Sequence, residues 1–520
     1  MRPSGAPLVL DGSGLGVGEL VEAAREGRPL AYSDAARRRI AADHRALESA
    51  LLAGEAVYGL TTGLGSRVTE AVGVVPASEL GARTVRGRAH AVGPPLPAEV
   101  VRGALAARCG SIAHGGSGIS PTVAELLLEM CNNGVHPLVP STGSVGASDL
   151  CQMAHVGLVV IGEGSAEVEG AMLPGAVALG RAGLAPATLA GRDGLALCSS
   201  SAVTAALAAL GLHDARAVLG EVELAAACSF EGFRANTNVL SAAVVAARPA
   251  PGQQESAARL VALLAGSALF GAEAPRRLQD PISFRCLPQV HGAFRAAAQL
   301  LEDALLAELN GTADNPLVTG EDPGGALPGG AEVVPTGNFH TAALGLGLEV
   351  TALALARVVG LSVRRVQRLL SAATSGLPPR LVAGGADRSG FGPLLKVAHA
   401  LLADVAHLAT PVPVIAPAES EAEDDASPAP WAARRLREMI PLARRVAAIE
   451  ALVACQAVDL AAPSSIAAAP RRLLEAVRRR VPPLGDDRPL SSDVEAAAVL
   501  LAAISAELAN ELAGFREGSP

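Results

Sequence analysis

The sequence predicts a mainly α-helical protein, built as a loop-rich N-terminal domain over residues 1–200 and a long helical bundle over residues 201–520. Three observations predict it. Hydrophobic residues fill 50% of the 520 positions and charged residues only 18%, enough apolar side chain for a large buried core. Most of that apolar content is Ala, Leu and Val recurring at helical spacing over long stretches. Glycine and proline gather in the connections between those stretches, and nothing repeats as a strand–helix–strand unit.

In chain order, the first long helix is expected over 34–54, followed by a glycine-rich connection at 59–66. Helices over 98–113 and 121–133 come next, and the connection 141–148 opens a helix over 149–162. Short β-like pieces are expected near 166–173 and in the first few residues. From about residue 200 the helices lengthen, over 200–230, 255–271, 289–310, 340–371, 390–408, 431–461 and 492–513. Connections at 247–253, 311–337, 376–393 and 411–430 separate them. Several of these helices are apolar on more than one face, which favours burial of one face against another subunit and hence a homo-oligomer over internal burial within one 520-residue chain. The most membrane-like stretch, Thr341 to Val363, carries Glu349 and Arg357 and is expected to be a core helix. The opening residues hold too short an apolar run for a signal peptide, so a soluble protein is expected.

Composition excludes some classes of function. A net charge of -9 leaves no basic footprint for nucleic acid or for an anionic membrane. Aromatic residues are 2% of the chain, with two tyrosines, Tyr32 and Tyr58, so no base-stacking surface is expected. Seven scattered cysteines without C-x-x-C spacing read as reduced thiols in a cytoplasmic protein. The histidines show no metal-ligand spacing, and no metal is expected.

Five local features carry chemistry. Ser141 to Leu150 is a glycine-containing turn in which Asp149 is placed to cap the following helix; on pattern alone an ordinary capped loop is the favoured reading. Tyr58 to Gly65 holds three glycines with a tyrosine at its base, either a lid bearing a proton-transfer group or a surface turn. Arg285, among small and apolar residues, needs an anionic partner, which is either a protein carboxylate or a substrate carboxylate. The run Glu419, Glu421, Glu423, Asp424, Asp425 reads by itself as a solvated loop. Lys396 is the single lysine in the chain, which mainly reflects an arginine-biased composition; in its helical stretch it is also a candidate functional amine.

Together these segments resemble the histidine and aromatic amino acid ammonia-lyase family along nearly the whole chain. The matching stretches run in the family's order: Tyr58 to Gly65, Asn133 to Pro140, Gly143 to Leu150, Ile161 to Gly164, Arg248-Pro249 with Pro251 to Gln253, and Gln279 to Gly292. They continue through Asp314 to Leu317, Gly337 to His340, Ser375 to Pro379 and Asp487 to Ser491. The resemblance implies a mainly helical homotetramer with active sites assembled from several subunits, and a small-molecule amino acid as substrate. It also implies an internal electrophile, methylideneimidazolone (MIO), formed by cyclisation of an Ala-Ser-Gly loop. No external cofactor is implied. Residue by residue, Tyr58 matches the family's base, His90 an active-site histidine, Arg285 the carboxylate clamp and Phe339 an aromatic wall. Asn315 lies in the matching Asp314-Asn315-Pro316 segment and is taken as substrate-binding. Glu423 stands where histidine-specific members hold an imidazole, although Ala422 and Asp425 replace the residues that flank that segment in the family.

The loop itself departs from the family pattern. Ala147-Ser148 is followed directly by Asp149, which puts a Cβ and a charge where a glycine amide must close on the alanine carbonyl. Ser199 stands in place of an asparagine that supports the MIO ring, and Ile282 in place of a proton-transfer tyrosine. These departures weigh against MIO formation. Three functions follow: a lyase acting on histidine or another aromatic amino acid through an MIO on Ser148, an MIO-free lyase, and a catalytically silent homologue. The second resembles ergothionase, which removes trimethylamine from an imidazole betaine on the same fold, with Lys396 a candidate partner for the ring or its sulfur.

Overall fold

In the computed structural model, which describes residues 5–271, 275–320, 332–412 and 423–517, regular structure is overwhelmingly helical. The chain forms two units, each discontinuous in sequence. The first comprises residues 1–213, 301–348 and 412–434, and the second 214–300, 349–411 and 435–520. All of the expected N-terminal domain falls in the first unit, which also takes in two later segments.

The expected helices are found close to their predicted bounds, as Asp34–Leu52, Ala98–His114, Pro121–Asn132, Leu150–Val160, Ala202–Phe233, Leu287–Leu309, Ala342–Leu370, Gly392–Leu408, Ala429–Ala461 and Ser491–Glu517. Local chemistry sets their starts. The Ser33 hydroxyl accepts the Ala36 N–H, and Ser120 accepts that of Val123 with Pro121 in the first helical turn. The helix expected over 255–271 is shorter, Gln253–Leu263. Gly266 at φ 82° breaks it, and Ser267 caps a separate short turn, Ala268–Phe270. Ala77–Arg86 and Ala468–Arg478 are helices that the apolar periodicity did not reveal. Ala77–Arg86 buries Gly81, Thr84 and Val85, so its inward face carries little hydrophobic signal.

Within the first unit, the helix Ala98–His114 is buried from Val100 to Ala113. A Cβ on Gly103 would lie 3.2 Å from the Ala206 methyl, so small residues set how closely these helices pack. Short strands tie the loops down: Leu8–Leu10 runs parallel to Leu30–Tyr32, and Val92–Pro95 runs antiparallel to Pro140–Thr142. Ser165–Val168 pairs with both His136–Pro137 and Ala171–Pro174, and Leu317–Thr319 pairs with Glu332–Val334. Fully buried Arg108 grips Asp314 at 2.9 Å and 3.1 Å, and Arg192 reaches the same carboxylate at 3.4 Å. Removing one partner of such a buried pair typically costs about 3–5 kcal/mol. The pair anchors the Asp314-Asn315-Pro316 segment to the unit's core.

The second unit is held by its own buried ion pair. Glu450 accepts Arg365 at 2.5 Å and 2.8 Å, together with the hydroxyls of Ser229 and Ser362. Phe233 stacks on Phe284 with ring centroids 4.3 Å apart. Asp487 accepts the N–H groups of Ser389 and Gly390, fixing the turn before Gly392–Leu408.

Candidate active site

The turn after Pro140–Thr142 is built almost entirely from polar contacts. Ser144 Oγ accepts the Gly146 N–H at 3.1 Å and donates to the Ser148 carbonyl at 3.2 Å. Gly146 sits at φ 79°, and a Cβ there would lie 2.4 Å from the Ser427 carbonyl, so the position needs glycine. Its carbonyl accepts both the N–H and the hydroxyl of Thr341, at 3.2 Å and 2.9 Å. Ala147 then pairs antiparallel with His340, and the Ser148 N–H donates to the Phe339 carbonyl at 3.1 Å. Ser148 adopts φ 63°, a left-handed conformation that costs a non-glycine residue about 1 kcal/mol and persists because both neighbours are pinned.

Asp149 does not do what its position suggests. It precedes Leu150–Val160, but its side chain makes no bond to that helix. The carboxylate instead accepts the Thr204 N–H at 2.8 Å and the Thr204 hydroxyl at 2.7 Å, at the start of Ala202–Phe233. Its own N–H donates to the Ser200 carbonyl at 2.7 Å. The residue is 1% exposed, and burial lifts its carboxyl above the ordinary range although the Thr204 and Ser144 donors oppose the rise. Glu308 lies in the same polar cluster. Ser201 donates to it, and burial pushes it up to about 7, with the negative charge of Asp149 adding to the rise.

This turn forms one wall of a cavity of about 920 Å³ that lies within the first unit. Six of the residues singled out in the sequence line it together: Tyr58, Ser148, Ser199, Asn315, Phe339 and Glu423, along with Ala147. The Tyr58 phenol oxygen accepts the Gly65 N–H at 2.8 Å. The Glu423 carboxylate lies against the same glycine, 3.2 Å from where a Gly65 Cβ would stand, so the glycine-rich turn brings Tyr58 and Glu423 to one end of the cavity. Asn315 Oδ1 accepts the Thr336 N–H at 3.0 Å. Phe339 is held through its carbonyl by Ser148, and Ser199 follows the buried helix Asp193–Cys198.

Besides the buried Asp149, three expected residues are not among those lining this cavity. His90 is solvent-exposed. Arg285 belongs to the second unit, where it donates to Gln279 at 2.6 Å. Lys396 is exposed on Gly392–Leu408, also in the second unit. Glu419 and Glu421 of the acidic run lie outside the described residues, while Asp424 and Asp425 line the cavity beside Glu423.

His340 and Arg88 are among the lining residues that had no role assigned from the sequence. His340 Nε2 lies 3.4 Å from Asp425 Oδ2, in ion-pair range but without hydrogen-bond geometry. Arg88 lines the cavity and opens the Arg88-Ala89-His90-Ala91 motif from which His90 had been chosen. Its side chain was legible only as part of that motif, with nothing to say which of the two faces inward.

Comparison with known proteins places this architecture. The family described as aromatic amino acid lyase matches residues 15–479. Histidine ammonia-lyase of Symbiobacterium thermophilum is 38% identical over 492 residues, covering 94% of this chain and 96% of that protein. Among solved structures, ergothionase from Treponema denticola in complex with desmethyl-ergothioneine sulfonic acid superposes with a TM-score of 0.89. It is 27% identical, over 96% of this chain and 99% of that one. Histidine ammonia-lyase from Trypanosoma cruzi gives a TM-score of 0.85 at 31% identity, over 96% of this chain and 94% of that one. The chain therefore belongs to the aromatic amino acid lyase family, a family of carbon–nitrogen lyases.

Proposed function

We propose that this lyase eliminates trimethylamine from an imidazole betaine, in the manner of ergothionase, and that it does so without an MIO. One observation carries the reading: the backbone and side chain of Asp149 are both committed elsewhere. An MIO requires the amide nitrogen of the third loop residue to close on the carbonyl of Ala147. Here that N–H is bonded to Ser200, and the attached carboxylate is tied to Thr204 in a buried site. Ser199 supplies a hydroxyl where the family has an asparagine beside the ring. The residues present do not fit the group, and no step is routed through it.

The substrate class follows from the same constraint. A quaternary nitrogen has no lone pair with which to add to an electrophile, so an MIO would give it no help. It also carries its positive charge at every pH and departs as a neutral amine. Tyr58 removes the β-proton, the C–H electron pair becomes the new C=C bond, and the C–N pair leaves with the nitrogen. The products are an acrylate and trimethylamine. The Gly65 N–H points at the phenol oxygen on which negative charge sits when Tyr58 acts as base. Glu423, at the same end of the cavity, holds the imidazole, and Phe339, Asn315 and Ser199 line its sides. Arg285, His90 and Lys396 are assigned to sites completed by other copies of the chain in a homotetramer. Exposed apolar side chains on the long helices, Leu300, Leu346 and Leu353 among them, support such assembly.

Incubation with ergothioneine and, separately, with histidine tests the reading, with the acrylate followed in the ultraviolet and the released amine assayed. Trimethylamine from the betaine and no ammonia from histidine is the expected result. Ammonia release from histidine, or no product from either compound, overturns it.

A further inference from the structure

Arg88 lies on the rim between the helix Ala77–Arg86 and the strand Val92–Pro95, with its backbone held on both sides: its N–H donates to Val85 and its carbonyl accepts from His90. It is half-buried and lines the cavity. Among the described residues it makes one hydrogen bond, 3.3 Å to the Thr84 carbonyl, and pairs with no carboxylate. Gly143, Leu150, Cys151, Leu195 and Ser199, all uncharged, line the same cavity. A half-buried guanidinium cannot be neutralised by losing its proton, and most of its five N–H donors have no partner among the described residues of this chain. The acidic side chains lining the cavity, Glu423, Asp424 and Asp425, come from a different segment of the chain, and none of them pairs with Arg88. The cavity is therefore lined by opposite charges that do not pair with one another, an arrangement suited to a zwitterion.

We infer that Arg88 is an anion-binding, specificity-determining residue of this cavity, gripping the carboxylate of a zwitterionic substrate from within the same unit that holds Tyr58 and Glu423. It acts on the same anion as the carboxylate clamp assigned to Arg285, from a separate segment of the chain, and it does not depend on which amine the enzyme releases. A planar guanidinium takes a carboxylate by two parallel N–H···O bonds, whereas an amide of the same shape offers only one acceptor oxygen.

Calorimetric binding of two probe acids, 3-(imidazol-4-yl)propionate and 3-phenylpropionate, and of their amides tests the inference on the full-length protein. The unsubstituted protein is expected to bind at least one acid more tightly than its amide. Arg88→Gln should weaken that acid by about 10- to 100-fold, the range for losing a charge-assisted bond, and leave the amide unchanged. Arg88→Lys, which keeps the charge but not the fork, should fall between. If Arg88→Gln does not fold, the inference rests on Arg88→Lys, which should weaken the acid and spare the amide. An acid-over-amide preference undiminished in both variants overturns the inference, as does a failure of the unsubstituted protein to distinguish acid from amide. Arg88-dependent acid binding without turnover of ergothioneine would sink the proposed reaction and leave this inference standing.

Discussion

Replacing Asp149 by alanine should destabilise the first unit by an amount that can be worked from its contacts. The carboxylate accepts two bonds from Thr204, at 2.8 Å from the N–H and 2.7 Å from the hydroxyl, and both residues are 1% exposed. Alanine leaves two buried donors without an acceptor, each worth about 1–3 kcal/mol. Against this, the substitution removes a carboxyl whose charged form is already disfavoured by burial. The net expectation is a loss of about 2–4 kcal/mol. Asp149→Asn keeps the shape and one acceptor oxygen, so its loss should be about half as large. The assay is urea unfolding followed by the fluorescence of Trp431, the single tryptophan, which lies in the same unit. With a slope of about 3 kcal/mol per molar urea, the alanine midpoint should fall by about 1 M. An unchanged midpoint for Asp149→Ala would refute the view that this residue is a structural tie in place of a ring-forming glycine.

Tyr58→Phe should lower turnover of the betaine by ~10²–10⁴-fold, the range for losing a general base; steady-state rates that match the unsubstituted enzyme would remove Tyr58 from that role. Glu308 gives a pH prediction. Its carboxyl is raised from the ordinary 4.5 to about 7 in the folded protein, so the folded state holds that proton more tightly than the unfolded state. Its contribution to stability is complete below 4.5 and is lost as pH rises through about 7. Glu308→Gln should therefore flatten the decline in thermal midpoint between those two pH values, and an identical decline in both proteins would count against the raised carboxyl.

Much of the fold was legible because its helices are long and apolar, and periodicity over many residues averages out local ambiguity. Ala77–Arg86 escaped because the face it buries consists of Gly81, Thr84 and Val85. The interleaving of the two units was not legible either, since composition runs along the chain while 301–348 and 412–434 join the first unit through folding. In the site, Tyr58, Ser199, Asn315, Phe339 and Glu423 could be picked out because each sits in a short motif of recognisable order, and the fold brings all five to one cavity. Asp149 was read as a cap for the helix next to it. Its real partner is Thr204, 55 residues further on, and no local pattern announces such a contact. Arg88 was passed over for His90, two residues further on, because the resemblance pointed to a histidine in that motif and one arginine among 41 does not stand out.

An MIO-free elimination requires that the Ala147-Ser148-Asp149 turn remain an ordinary peptide. Mass spectrometry of the purified, intact protein, with the peptide spanning these residues isolated after digestion, measures that directly. The account predicts the full mass calculated from the sequence. A deficit of two waters confined to that peptide would establish an MIO and contradict it.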